Sequence, residues 1–193
     1  MALDETPGKE VRSSFVRRTD PDLLPSSTNP CDAPDGYYWV YAFGPARSSD
    51  DLNDLLIGKW LIRMTCPYVA DYWPLIARTV EAGTLGPSAK IAIDWGREHD
   101  PAGAWRNHVV CIYTRDWRDE GDVLRVARRL HEIGAVKKIK LTYKPDVFTH
   151  EGRYEDSAPG DIAIYTCGAP YDQLTVHHEN RATAEQVLSA LSR

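Results

Sequence analysis

The chain has 193 residues, of which 42% are hydrophobic and 26% charged, values typical of one globular domain with its own core. No apolar run is long enough for a membrane-spanning helix, and the first residues lack a secretory signal, so we expect a cytoplasmic protein without a membrane partner. The formal net charge of −5 disfavours a diffuse attraction to DNA. Any anion site must therefore be built from a local group of cations.

The cysteines and histidines show no metal-ligand pattern. The four cysteines are far apart in the chain and form no C-x-x-C pair: Cys31, Cys66, Cys111 and Cys167. This spacing disfavours both a zinc site and a disulfide scaffold, and we interpret them as buried reduced thiols. No glycine-rich dinucleotide fingerprint follows a strand, so we expect neither a metal nor a cofactor.

Residues 1–35 are rich in Asp, Ser and Pro and almost lack a periodic apolar pattern, which predicts a disordered tail, whereas the periodic pattern of 36–193 predicts a single α+β domain. Predicted strands cover 37–43, 58–64, 89–95, 108–114, 138–143, 161–166 and 174–178. Predicted helices cover 71–82 and 119–133, and a last helix begins at a capping box formed by Thr183 and Gln186. Strands outnumber helices without alternating with them, which favours a mainly antiparallel sheet with helices on one face and 108–114 near its centre.

Several predicted strands carry a cation on the face opposite their apolar residues. Lys59 and Arg63 share such a face on one strand and Lys90 lies on another, while Arg106 directly precedes the central strand. Lys138 and Lys140 belong to a third strand. If helices cover the apolar face, these cations gather on the other face, where Lys and Arg favour phosphate or carboxylate. The alternative is that these lysines are solvated and only discourage edge pairing.

Three stretches resemble the basophilic-leukaemia-expressed protein family: 58–90, beginning Gly-Lys-Trp-Leu-Ile, then 108–114, and 143–150, which reads Tyr-Lys-Pro-Asp-Val-Phe-Thr-His. That family is similar in fold to the cap-binding translation initiation factor, which implies a curved antiparallel sheet backed by helices on its convex side. The initiation factor sandwiches a methylated base between two tryptophans. Trp95 and Trp105, in or beside loops, are the aromatic stacking candidates here.

A fainter resemblance is to the bacterial phosphothreonine lyases, through the order of cations along the chain. It implies Lys90 as the general base and His150 or Tyr113 as the acid, with a leucine, Leu61, where those lyases have their acid histidine. The expected phosphate-binding residues are Lys59, Arg63, Arg106, Lys140 and Arg153.

The function expected from these observations is recognition of phosphate on a phosphorylated peptide or a nucleotide-like small molecule. One hypothesis is a cofactor-independent phosphothreonine or phosphoserine lyase that works by lysine-based elimination. The alternatives are a non-catalytic module that binds a nucleotide, a cap-like ligand or a phosphopeptide, and an adaptor that binds another protein. Lys90→Ala would abolish turnover in the first case and weaken affinity in the second.

Overall fold

The computed structural model of the protein describes residues 23–34, 37–45, 52–93, 107–153 and 162–192. The strands are β1 Trp39–Phe43, β2 Gly58–Thr65, β3 Ser88–Ala92, β4 Asn107–Thr114, β5 Leu141–Pro145, β6 Tyr165–Cys167 and β7 Thr175–Val176. The helices of this described part are α1 Cys66–Glu81, α2 Glu120–Glu132, α3 Val147–His150 and α4 His178–Leu191. None of these helices combines the length and apolar character that crossing a membrane requires.

The strands form one seven-stranded sheet in the order β1-β3-β4-β2-β5-β6-β7. Every pair of neighbouring strands is antiparallel. The predicted α+β class and antiparallel sheet are therefore confirmed. Strand β4 lies inside the sheet, next to the middle strand β2, as its apolar sequence indicated.

The two faces of the sheet follow the alternation of β2. Trp60, Ile62 and Met64 are buried in the main core, and the indole N–H of Trp60 donates to the carbonyl of Val123 on α2 at 2.9 Å. Helix α1 packs on the same face of the sheet through side chains that include Trp73. The alternate residues of β2 therefore point to the opposite face, as their spacing predicted.

Helix starts differ from the expectations where tertiary packing extends the helix. Helix α1 begins at Cys66 instead of residue 71, with a proline in its first turn. Helix α2 begins at Glu120, close to the predicted start, and the Asp119 side chain caps it by accepting from the backbone N–H of Asp122. The capping box predicted at Thr183 is wrong. Helix α4 already begins at His178, and the Thr183 hydroxyl lies inside it, donating to the backbone carbonyl of Glu179 at 2.9 Å.

The fifth strand is shifted toward the C-terminus relative to its prediction. Lys138 has a backbone φ of 54°, outside the range of a strand, and β5 starts at Leu141. Lys140 is consequently exposed in the segment before the strand rather than on the sheet face. The expected loop from residue 144 instead contains the end of β5 and the short helix α3.

Part of the predicted tail packs against the domain. Residues 23–34 run beside the sheet edge, where Leu24 forms a parallel bridge to Val40 and Ala33 is buried. Cys31 is joined to Cys66 by a disulfide bond, so the interpretation as a reduced thiol is wrong for both residues. The two cysteines are 35 residues apart in the sequence and come together only because residues 23–34 fold back along the domain. The cysteine spacing therefore gives no signal of this pairing. Free, buried thiols are confirmed for the other two cysteines.

Candidate functional site

Three lysines lie side by side on the sheet face opposite α1. Lys90 on β3 is 8% exposed, Lys59 on β2 is 6% exposed, and Lys144 on β5 is 3% exposed. In the strand register Lys59 lies opposite Lys144, and Lys90 lies opposite Cys111 on β4. These three side chains form what we call the lysine cluster. Lysine is rarely buried, so their occurrence on three strands of one face marks a specialised surface.

The lysine cluster surrounds a small apolar patch made of Ile57, Cys111 and Tyr113, separate from the main core. Burial raises the pKa of the Cys111 thiol, whereas the positive charges of the cluster act to lower it. Each of the three lysines contributes to this second effect. The positive charges of all three lysines therefore act on the same place in the sheet, the thiol of Cys111.

Helix α3, the residue before it and the turn after it contact two members of the lysine cluster. The ammonium of Lys59 lies 2.6 Å from a carboxylate oxygen of Asp146, which is fully buried, and 3.5 Å from the hydroxyl of Thr149. The ammonium of Lys144 donates to the backbone carbonyl of Arg153. These contacts fix the positions of both ammonium groups, as recognition of a small anion requires.

Lys90 is held differently, by aromatic rings. Its ammonium lies 4.1 Å from the ring centroid of Trp39 and 5.9 Å from that of Tyr113. Within the described part of the chain it makes no ion pair and no hydrogen bond. Burial, together with the nearby charge of Lys59, lowers the pKa of Lys90 to about 8 against the opposing charges of Cys111 and Asp146. A substantial share of Lys90 is therefore neutral at mildly alkaline pH.

The ring of Tyr113 lies close to the ammonium groups of both Lys59 and Lys90. The ring centroid is 5.4 Å from the ammonium of Lys59, and the side chain is almost completely buried. Burial, followed by the negative charge of Asp146, raises the pKa of the Tyr113 phenol well above its ordinary value. The phenol is protonated over the physiological range, so its oxygen carries a proton that could be donated.

The other predicted site residues lie further away or serve other contacts. Arg63 is on the same face of β2 as Lys59 but is exposed. The guanidinium of Arg153 pairs with Glu151 at 2.8 Å, so this residue reaches the cluster through its backbone carbonyl. The Nε2 atom of His150 is buried and has no hydrogen-bond partner among the described residues. Arg106, Trp95 and Trp105 lie outside the described residues.

The sequence patterns did not predict three residues of this site: Lys144, Asp146 and Trp39. For Lys144 a signal existed, because the alternation that puts Thr142 on the cation face also puts Lys144 there once the strand is extended. The sequence predicts Trp39 as a strand residue only, and the structure places it on the edge strand β1, beside the strand that carries Lys90. The pairing of Asp146 with Lys59 is a long-range contact for which the sequence contains no signal.

Comparison with protein-family models identifies the family of this chain. The family model of basophilic leukemia-expressed protein Bles03 matches residues 50–152, which is more than half of the chain. The chain belongs to this family. The Bles03 match contains the whole lysine cluster together with Tyr113 and Asp146, whereas Trp39 precedes it. The similarities to the cap-binding initiation factor and to the phosphothreonine lyases stay predictions.

Proposed function

We propose that the lysine cluster recognises the phosphate group of a phosphorylated peptide or a nucleotide-like molecule. The observation that carries this proposal is Lys90, a buried lysine whose ammonium contacts the rings of Trp39 and Tyr113. A buried ammonium is costly unless an opposite charge accompanies it. A bound phosphate dianion would supply that charge, and it would meet Lys59 and Lys144 on the same face.

The cluster suits a small anion better than a large surface. Lys90 keeps the largest exposed fraction of the three lysines, at 8%, so an anion would reach the cluster beside it. The apolar patch around Cys111 excludes water there, which strengthens a charge-assisted hydrogen bond. The same arrangement would disfavour a ligand that lacks the phosphate, because such a ligand brings no negative charge to offset the cost of the buried Lys90 ammonium.

The binding test uses titration calorimetry with a phosphothreonine peptide and its unphosphorylated twin. Lys90→Met removes the charge and keeps a flexible apolar side chain, so we expect phosphate-dependent affinity to fall by about 10-fold to 100-fold. Lys137→Ala changes an exposed lysine outside the sheet and serves as the control. Equal affinity for both peptides in the wild type, or unchanged affinity in Lys90→Met, would contradict the proposal.

A second candidate function is elimination of the phosphate, which the protonation states of two residues favour. Lys90, with its pKa lowered to about 8, could take the proton from the carbon next to the carbonyl of phosphothreonine. The electron pair would form a carbon–carbon double bond as the bond to the phosphate oxygen breaks. The protonated phenol of Tyr113 could then donate to that oxygen, leaving inorganic phosphate and a dehydrated residue.

The elimination test separates the charge of residue 90 from its basicity. Lys90→Arg keeps a positive charge, but a guanidinium does not give up its proton and cannot act as a base. We expect this variant to retain phosphopeptide binding and to lose elimination, measured by mass spectrometry as loss of phosphoric acid from the peptide. Absence of that loss in the wild type, with binding intact, would leave a non-catalytic module; absence of both would favour a protein-binding adaptor.

A further inference from the structure

Cys31, Cys66 and His108 come together on the side of the sheet covered by α1, away from the lysine cluster. Cys31 belongs to the segment before β1, Cys66 is the first residue of α1, and His108 lies on β4. The Nε2 atom of His108 is 3.7 Å from the sulfur of Cys31 and 3.2 Å from that of Cys66. The three candidate ligand atoms all lie within 4.8 Å of one another.

The imidazole of His108 points its Nε2 atom toward the two sulfurs. Its Nδ1 atom lies 2.6 Å from the backbone carbonyl of Ala92, and because a carbonyl can only accept, Nδ1 carries the proton. Nε2 is then unprotonated in the neutral ring. The ring is 1% exposed, so this orientation is fixed by packing. A hydrogen bond from the other ring nitrogen to a carbonyl is the usual arrangement behind a metal-binding histidine.

We propose that, when the disulfide is reduced, Cys31, Cys66 and His108 bind one zinc ion. Typical Zn–S bonds of about 2.3 Å and Zn–N bonds of about 2.0 Å in a tetrahedron place sulfur and nitrogen about 3.5 Å apart. The two sulfur-to-nitrogen distances, 3.7 and 3.2 Å, lie on either side of this value. The Cα atoms of the cysteines are 5.8 Å apart, which lets both sulfurs reach one ion.

Thiolate and imidazole ligands suit zinc among the common divalent ions, and three protein ligands leave a fourth position for water. Reduction breaks the S–S bond with two electrons and two protons: a dithiol supplies both and becomes a disulfide, whereas a phosphine supplies the electrons and takes the oxygen of water, whose protons go to the two sulfurs. The resulting thiols of Cys31 and Cys66 then lose one proton each as zinc binds. The disulfide and the zinc site are thus alternative states of the same pair, and metal binding depends on reduction.

The test is a Co²⁺ titration of the full chain reduced with a phosphine, which does not itself compete as a thiol ligand. We expect one equivalent of Co²⁺ to give the visible bands of a tetrahedral site and a near-ultraviolet thiolate-to-cobalt band, both removed by added Zn²⁺. The oxidised protein should give neither. Absence of these bands in the reduced wild type, or equal bands in the oxidised protein, would overturn the proposal.

Variants show whether these residues are the ligands. Cys31 lies outside the helices and strands, so the Cys31→Ser variant should keep the fold. Circular dichroism would verify this. The substitution should weaken Zn²⁺ binding by about 100-fold and reduce the thiolate band. Cys167→Ser changes a buried free cysteine elsewhere in the sheet and should bind as the wild type does. Equal Zn²⁺ affinity in Cys31→Ser and the wild type would show that the metal binds somewhere else.

Discussion

Replacing Lys90 with methionine should stabilise the protein while removing its phosphate recognition. Lys90 is 8% exposed, and burial lowers its pKa from the ordinary 10.5 to about 8. The native state therefore holds this proton less tightly than the unfolded chain does. Met fills a similar volume, and its sulfur can pack against the ring of Trp39 in place of the ammonium. The substitution thus removes mainly the buried charge.

The size of the gain follows from the pKa difference. Below pH 8 the residue is protonated in both states, and the native state carries the whole cost of the buried charge, about 3 kcal/mol. Between pH 8 and 10.5 the native amine is neutral while the unfolded one still binds its proton, so this cost declines as pH rises. At pH 10 about 1 kcal/mol remains. The free energy of unfolding of Lys90→Met should therefore exceed that of the wild type by about 3 kcal/mol at pH 7 and by about 1 kcal/mol at pH 10.

Urea unfolding of the wild type and Lys90→Met at both pH values measures this difference, and other titrating groups cancel in the comparison. The slope of free energy against urea should be the same for both proteins. A variant that is less stable than the wild type at pH 7 would refute the reasoning. So would a gain that does not shrink by pH 10, because the lysine would then not carry a buried charge in the native state.

Three further predictions concern the same region. Asp146→Asn leaves Lys59 buried without its carboxylate and should cost about 3 to 5 kcal/mol in urea unfolding. Gly58→Ala should lower the free energy of unfolding by about 3 kcal/mol, because the added Cβ would lie 2.3 Å from the hydroxyl oxygen of Tyr143. Gly168→Ala is the control: a Cβ there would have nothing within 4 Å, so the melting temperature should fall much less than in Gly58→Ala. Burial holds the pKa of Cys111 above 9.0, so a disulfide reagent at pH 8 should modify it only after unfolding, and rapid labelling of the native protein would contradict its burial.

The sequence was sufficient wherever local periodicity decides the structure. The alternation of Lys59 and Leu61 with Trp60 and Ile62 assigned the two faces of β2 correctly, and the apolar run of β4 marked an interior strand. The sequence therefore predicts two of the three lysines of the cluster, Lys59 and Lys90. The antiparallel sheet followed from the same patterns, because the strands are not separated by regular helices.

The errors arose where a backbone conformation or a tertiary contact overrides the pattern. The alternation of 138–143 looks like a strand, but the positive φ of Lys138 delays β5, so that Lys144 rather than Lys140 joins the cluster. The proximity of Cys31 to Cys66 depends on a segment that folds back along the domain. Ion pairs and cysteine contacts between distant segments carry no periodic signal in a single sequence.

The most direct test of phosphate recognition is a nuclear magnetic resonance titration of lysine-labelled protein with the phosphothreonine peptide. Substitution of each lysine in turn assigns the side-chain signals. We expect the signals of Lys59, Lys90 and Lys144 to shift together with one dissociation constant and that of exposed Lys137 not to move. Shifts confined to exposed lysines, or shifts of equal size with the unphosphorylated peptide, would contradict phosphate binding at the lysine cluster.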